Sequence, residues 1–135
     1  MDLQKAMIAS ASGLRAQSVR MRVIAENIAN SNSVASEPGA DPYRRKIVTF
    51  HTELDRAHGV NVVKAGGIDM DQSEFGKKYD PGNPAADASG YIKTSNVNGM
   101  IESMDMRQAQ RTYQSNLNAL EASRRMGTMT LDLLR

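Results

Sequence analysis

The residues best equipped for chemistry are two histidines, His51 and His58, seven apart, with Glu53 and Asp55 between them. Imidazole and carboxylate donors at such a spacing are the raw material of a three-ligand metal site. Solvated side chains on a hairpin account for the same pattern without a metal, and this is the better reading. Asp69-Met70-Asp71 alternates carboxylates, but it lacks the loop glycine and terminal glutamate that a calcium-binding EF-hand requires. Gly66-Gly67 is followed by no further glycine set and no Lys-Ser/Thr step into a helix, so turn chemistry explains it better than phosphate binding. The absence of Cys excludes thiol catalysis, disulfides and cysteine zinc sites. The sequence thus offers no catalytic residue, no metal site and no cofactor site, and the expectation is a protein that is not an enzyme.

Tyr43-Arg44-Arg45-Lys46 is the densest basic run. Basic residues beside an aromatic suit contacts to a nucleic-acid backbone. In a strand, however, Arg44 and Lys46 share one face and Arg45 takes the other, so the run is no single patch. The whole chain carries 17 basic and 15 acidic side chains, net +2, too weak a field to draw a polyanion. No nucleic-acid partner is expected. The four residues read either as a solvated strand edge or as an ion-pairing surface, and are candidate subunit contacts.

What must position these residues is divided sharply along the chain. All four prolines, eight of the ten glycines and every aromatic except Tyr113 lie between residues 31 and 99. At the N-terminal end, positions 3, 7, 10, 14, 17, 21, 24 and 28 advance in steps of four and three, with Leu3, Met7, Leu14, Met21, Ile24 and Ile28 apolar. That is a heptad seam on a helix over 3–28. At the C-terminal end, Tyr113, Leu117, Leu120, Leu131 and Leu134 repeat the alternation on a helix over roughly 100–134. Ser10, Gln17, Arg124 and Gly127 interrupt the seams, which weakens pairing but can fix its register. Helices of these lengths would run about 39 and 52 Å, more than a small central module needs. A second stripe, Met126, Met129 and Leu133, is displaced from the C-terminal seam, so that helix calls for more than one neighbour. Methionine, of which there are nine, suits a surface that re-packs against varying partners and equally suits plain core filling.

Between the helices, residues 29–42 read as a loop and 43–54 as strand-like. A turn at 56–59 joins them to Val60-Asn61-Val62-Val63, which is expected to end before Gly66-Gly67. Short strand-like runs at 75–79 and 90–94 flank the turn cluster Asp80-Pro81-Gly82-Asn83-Pro84. The fold class expected is α+β, with long N- and C-terminal helices pairing as a coiled coil around a small β-rich middle domain. The segments are 1–30, 31–98 and 99–135. A two-helix hairpin capping the β insert within one monomer is the plain alternative. Near the N-terminus the longest apolar run is Ala6-Met7-Ile8-Ala9, far short of a signal peptide or of the roughly 20 residues of a membrane span. No membrane anchor and no cleavable export signal are expected.

Several motifs together resemble one family. They are Val23-Ile24-Ala25-Glu26-Asn27-Ile28-Ala29-Asn30, Asp41-Pro42-Tyr43-Arg44-Arg45-Lys46, Tyr79-Asp80-Pro81-Gly82-Asn83-Pro84, Gly90-Tyr91, Asn96-Val97-Asn98 and Met104-Asp105-Met106. The sequence resembles the bacterial flagellar basal-body rod proteins from end to end. Asn27-Ile28-Ala29-Asn30 is similar to the N-terminal signature of flagellar axial proteins, and the Asp-Pro-Gly-Asn-Pro and Asn-Val-Asn elements narrow the likeness to the proximal rod. Ser31-Asn32-Ser33 stands where such proteins often carry a threonine, so a hydroxyl is kept. The resemblance implies a structural subunit of a hollow periplasmic rod, its terminal helices forming an inner tube and its middle an outer domain. It implies other rod proteins and copies of itself as partners, passage through the flagellar export apparatus, and transmission of torque from motor to hook. A coiled-coil adaptor or chaperone using the same seams is the rival that periodicity alone leaves open.

Overall fold

A computed structural model describes residues 2–134. Two long helices, α1 (Leu3–Ala29) and α2 (Gly99–Leu133), bracket four strands, β1 (Lys46–Asp55), β2 (Val60–Met70), β3 (Gly76–Tyr79) and β4 (Tyr91–Thr94). The class is α+β, and the helix bounds fall within a residue or two of those read from the seams.

Local chemistry sets where each helix begins and ends. The Asp2 carboxylate accepts from the Gln4 amide at 3.0 Å, satisfying one of the donors left open in the first turn of α1. At the other end, the Asn30 side chain donates to the Glu26 carbonyl at 2.8 Å and the Ser31 hydroxyl to that of Ile28 at 2.8 Å. The same carbonyls accept the Asn30 and Ser31 amides at 3.1 and 3.2 Å, so each is doubly bonded where the helix ends. Asn98 caps α2, its Oδ1 accepting from the amides of Met100 and Ile101 at 3.1 and 3.3 Å.

β1 and β2 form a two-stranded sheet. Gly59, at φ 61°, takes the left-handed conformation that lets its amide reach the Asp55 carbonyl at 2.7 Å and close the turn. β2 does not stop at Gly66-Gly67 but runs on to Met70. A Cβ at Gly66 would lie 2.9 Å from Thr49 Oγ1, so this glycine permits a close approach of the two strands and marks no break. β3 and β4 pair antiparallel, from Gly76 opposite Thr94 to Tyr79 opposite Tyr91. The two tyrosine rings meet edge to face at 5.2 Å. Val34 bridges to Thr94 from the segment after α1, and a small core of Ala35, Ala85 and Ile92 forms behind β4.

Contacts divide the chain into two compact units. One gathers the chain up to Arg22 with Val48–Gly67 and the chain from Arg107 onward; the other gathers Val23–Ile47 with Ile68–Met106. Each unit therefore holds both helical and strand residues. No aromatic ring is among the buried residues, whose apolar members are mostly Ala, Val and Ile, as so small an aromatic fraction foretells. Among the described residues no helix is long and apolar enough to cross a membrane.

Candidate assembly surface

The second unit contains a buried polar junction built around Asn27, which is 1% exposed. Its Nδ2 donates to the Lys46 carbonyl at 2.9 Å and to Glu102 Oε2 at 3.1 Å. Its Oδ1 accepts from the Lys46 amide at 3.0 Å and from the Tyr43 hydroxyl at 2.9 Å. Every hydrogen-bonding position of that side chain is thereby used. Glu102, also 1% exposed, receives the Arg45 Nε on its other oxygen. Arg45 further approaches Asp71 at 3.4 Å and Asp105 at 3.8 Å, and its amide donates to Asn96 Oδ1 at 2.7 Å. Burial works against the Arg45 charge, but the hydrogen bond and field of Glu102, then of Asp71, outweigh it and raise its pKa. The Tyr43 hydroxyl is pushed above its ordinary pKa, by burial first, with Lys46 opposing and Glu26 and Glu102 reinforcing.

The basic run is thus engaged within its own chain. Arg45 is no solvated edge: it pairs with the buried Glu102 carboxylate. Arg44 donates to the Asp71 and Ser73 carbonyls at 2.9 and 3.1 Å and lies 4.2 Å over the Phe75 ring, and Lys46 pairs with Glu26 at 2.9 Å. The strand expected from Tyr43 begins only at Lys46, so alternation of strand faces does not govern Arg44 and Arg45, and both reach Asp71, one at its carbonyl and the other at its carboxylate. Glu102 escaped the sequence reading because 75 residues separate it from Asn27, and one carboxylate on a helix carries no local signal of burial.

In α1 the deepest residues are Ala16, Val23, Ile24 and Asn27. Of the expected seam only Ile24 is fully buried; Leu3, Met7, Leu14, Met21 and Ile28 are half-buried, and Ala29 is exposed. In α2 the deepest are Glu102, Ala109 and Ser123, a heptad-spaced row one step round from Leu117, Arg124 and Leu131. Small side chains let backbones come close: a Cβ at Gly13 would stand 2.7 Å from the Asn116 amide nitrogen. Tyr113, Leu117 and Leu120 are half-buried. Met126, Met129, Leu131, Leu133 and Leu134 are 57–88% exposed. The heptad period is present in both helices, while the chain's own contacts favour the face of small residues and leave much of the large apolar seam uncovered.

In the first unit, Ile8, Ala11, Ser12, Arg15, Ala16 and Val19 of α1 face residues 53–56 and 62–65 of the hairpin across a groove of about 1010 Å³. Ser12 accepts from the Val63 amide at 3.1 Å. The carboxylates near the histidines are already committed: Glu53 pairs with Lys64 at 2.8 Å and Asp55 stands 2.8 Å from His58 Nδ1. Among the described residues no group of three or more metal-ligating side chains converges.

Comparison with known proteins places both ends of the chain. Residues 7–35 match the family described as "Flagella basal body rod protein", and residues 88–133 match "Flagellar basal body rod FlgEFG protein C-terminal". The chain is 51% identical over 124 residues to the flagellar basal-body rod protein FlgC of Agrobacterium fabrum, covering 92% of this chain and 89% of that one. It is 38% identical to FlgC of Salmonella typhimurium, covering 90% of each, and 33% identical to FlgC of Bacillus subtilis, covering 92% and 93%.

Proposed function

The chain belongs to the flagellar basal-body rod protein family, and on that premise we propose how this structural subunit builds its part of the rod. The helical segments 1–30 and 99–135 form the inner domain and residues 31–98 the outer one. Copies of the chain and other rod proteins pack their helices through the seams Leu3, Met7, Leu14, Met21, Ile24, Ile28 and Tyr113, Leu117, Leu120, Leu131, Leu134. The displaced stripe Met126, Met129 and Leu133 meets a further neighbour. Heterologous contacts that do not close generate a tube, which carries torque across the periplasm. The subunit reaches its site through the flagellar export apparatus and works as scaffold, not as enzyme. Tyr43, Arg44, Arg45 and Lys46 act first within the subunit, stiffening the surface that neighbours meet.

The observation that carries this reading is the coincidence of the two family matches with α1 and α2, the elements whose large apolar residues, Val23 and Ile24 aside, stay half or fully exposed. The close approach at Gly13 and Asn116 supports helix pairing. The adaptor alternative has periodicity on its side but none of the matches. Replacing Leu117 and Leu120 together by Asp tests the proposal, because an apolar side chain buried in an interface contributes about 1.5–3 kcal/mol and a carboxylate there adds several more of penalty. Rod assembly and motility are expected to be lost while the chain still leaves the cell through the flagellar route. Swimming cells with intact rods would remove this helix from the interface.

A further inference from the structure

We propose that the groove between α1 and the β1–β2 hairpin receives the exposed end of α2 from a second copy of this chain; this deepens, and rests on, the reading of the chain as a rod subunit. Every residue from Thr128 to Leu134 is exposed. The six of these that are helical, Thr128–Leu133, make more than one and a half turns, so this end of the helix is exposed on every side. It is also apolar, with Met129 at 64%, Leu131 at 68%, Leu133 at 88% and Leu134 at 80% exposed. Clustered apolar exposure of this kind marks an interaction site. The groove, at about 1010 Å³, lies at the upper end of the range for binding pockets, roomy enough for a turn of helix and not only one side chain.

Charge selects the occupant. Among the described residues, Arg15 and Arg56 in the groove wall form no ion pair and Lys64 pairs with Glu53, while Asp55 bonds to His58, which neutralises it only when protonated. The wall, with Arg15, Arg56 and Lys64 against Glu53 and Asp55, therefore keeps a net positive charge beside apolar Ile8, Val19 and Leu54. The end of α2 is its complement. Asp132 is the only charge between residues 126 and 134, with Arg135 following in sequence, and the last turn of α2 carries no basic residue, so within the exposed stretch a carboxylate stands together with the negative pole of the helix. The groove and the helix end are different surfaces of one chain, so a contact between them is head-to-tail and repeats from copy to copy without closing.

The natural chain has no Cys, which makes disulfide trapping clean. Ala11→Cys with Leu133→Cys, and as a second pair Leu54→Cys with Leu133→Cys, are introduced into the full chain in flagellated cells. Mild oxidation of isolated rods should give ladders of three or more copies from either pair, and at most dimers from the single variants. Gln110→Cys with Leu133→Cys, using an exposed position away from the groove, should give no ladder. Arg15→Glu with Arg56→Glu in the trapping background should reduce the ladder at least tenfold, and adding Asp132→Arg should restore it. Equal ladders from the control pair, or a groove cysteine linked to a different rod protein, would overturn the proposal. So would the absence of any ladder in cells that still assemble rods containing the chain, an outcome that leaves the rod reading standing. Rods complete without this chain would instead defeat that reading itself.

Discussion

The junction around Asn27 and the end of α2 treat their unfavourable groups in opposite ways. At the junction Asn27 makes four hydrogen bonds and Glu102 is gripped by Arg45, both side chains 1% exposed. At the end of α2, Met129, Leu131, Leu133 and Leu134 face outward with no cover from their own chain. The contrast follows from the physics of the two kinds of group. A buried charge without a partner is too costly to leave for later, so its partners must come from the same chain. Apolar burial is non-directional and scales with area, so it can be deferred until a neighbouring surface arrives. The junction thereby fixes which residues face which, while the helix end holds unspent driving force for association.

The largest effect expected on the isolated chain comes from breaking the junction. Glu102→Ala leaves Arg45 half-buried with only its longer contacts to Asp71 and Asp105, and strips Asn27 of an acceptor. Removing one member of a buried pair costs about 3–5 kcal/mol; partial exposure of Arg45 places this one near about 3. Urea unfolding of the purified chain measures it. A loss below 1 kcal/mol would mean that the junction is as dispensable to the lone subunit as the helix end is. Arg45→Ser should cost at least as much, about 3–5 kcal/mol, because it leaves the buried Glu102 carboxylate without that cation. A solvated-edge residue would give nearly zero, so the same unfolding experiment separates the two views of the basic run.

These residues also show how far the sequence reaches. Both helices, their heptad period, the hairpin turn and the β3 and β4 segments were legible because each is written in local spacing or turn composition. The face each helix turns to its own chain was not. Leu14, Met21 and Leu117, expected as assembly contacts, are half-buried in the lone chain, and Ala16, Ala109 and Ser123, which the spacing of large apolar residues did not single out, are deeper. Close approach rewards small side chains, and periodicity weighs only the large ones. Gly66-Gly67 misled for a related reason: it marks a tight strand contact with Thr49, and nothing local distinguishes that from a turn. Glu102 became visible only when residues far apart in sequence were brought together.

Acid sharpens the comparison further. Ser73, through its amide and hydroxyl, and then Arg45 hold the Asp71 carboxyl below the usual carboxylate range. Lys64 does the same for Glu53, and His58 for Asp55. A carboxylate whose pKa is lower folded than unfolded contributes stability that is present above the unfolded value, about pH 4, and lost as pH falls through the folded one. The urea midpoint should therefore decline below about pH 4. Asp71→Asn should flatten part of that decline, and truncation of α2 before Thr128 should leave its shape unchanged. An unaltered slope in Asp71→Asn would place the acid sensitivity in the hairpin, away from the junction.

The smallest effect comes from two glycines that sit inside helices under different constraints. Alanine is favoured over glycine in a helix interior by about 0.8–1 kcal/mol. At Gly13 that gain meets the Asn116 side chain, 2.7 Å from the new Cβ; the amide must swing away, so Gly13→Ala should be close to neutral. At Gly127 nothing lies within 4 Å, and Gly127→Ala should raise the stability of the isolated chain by nearly the full propensity difference. Motility then decides what the open space is for. If the stabilised Gly127→Ala chain supports normal swimming, the helix end meets its neighbours elsewhere and the gap at Gly127 is only solvent. If it swims poorly although more stable alone, the position must be kept clear for a neighbouring backbone. The helix end would then, like the junction, be shaped for one defined contact, with the partner supplied by assembly.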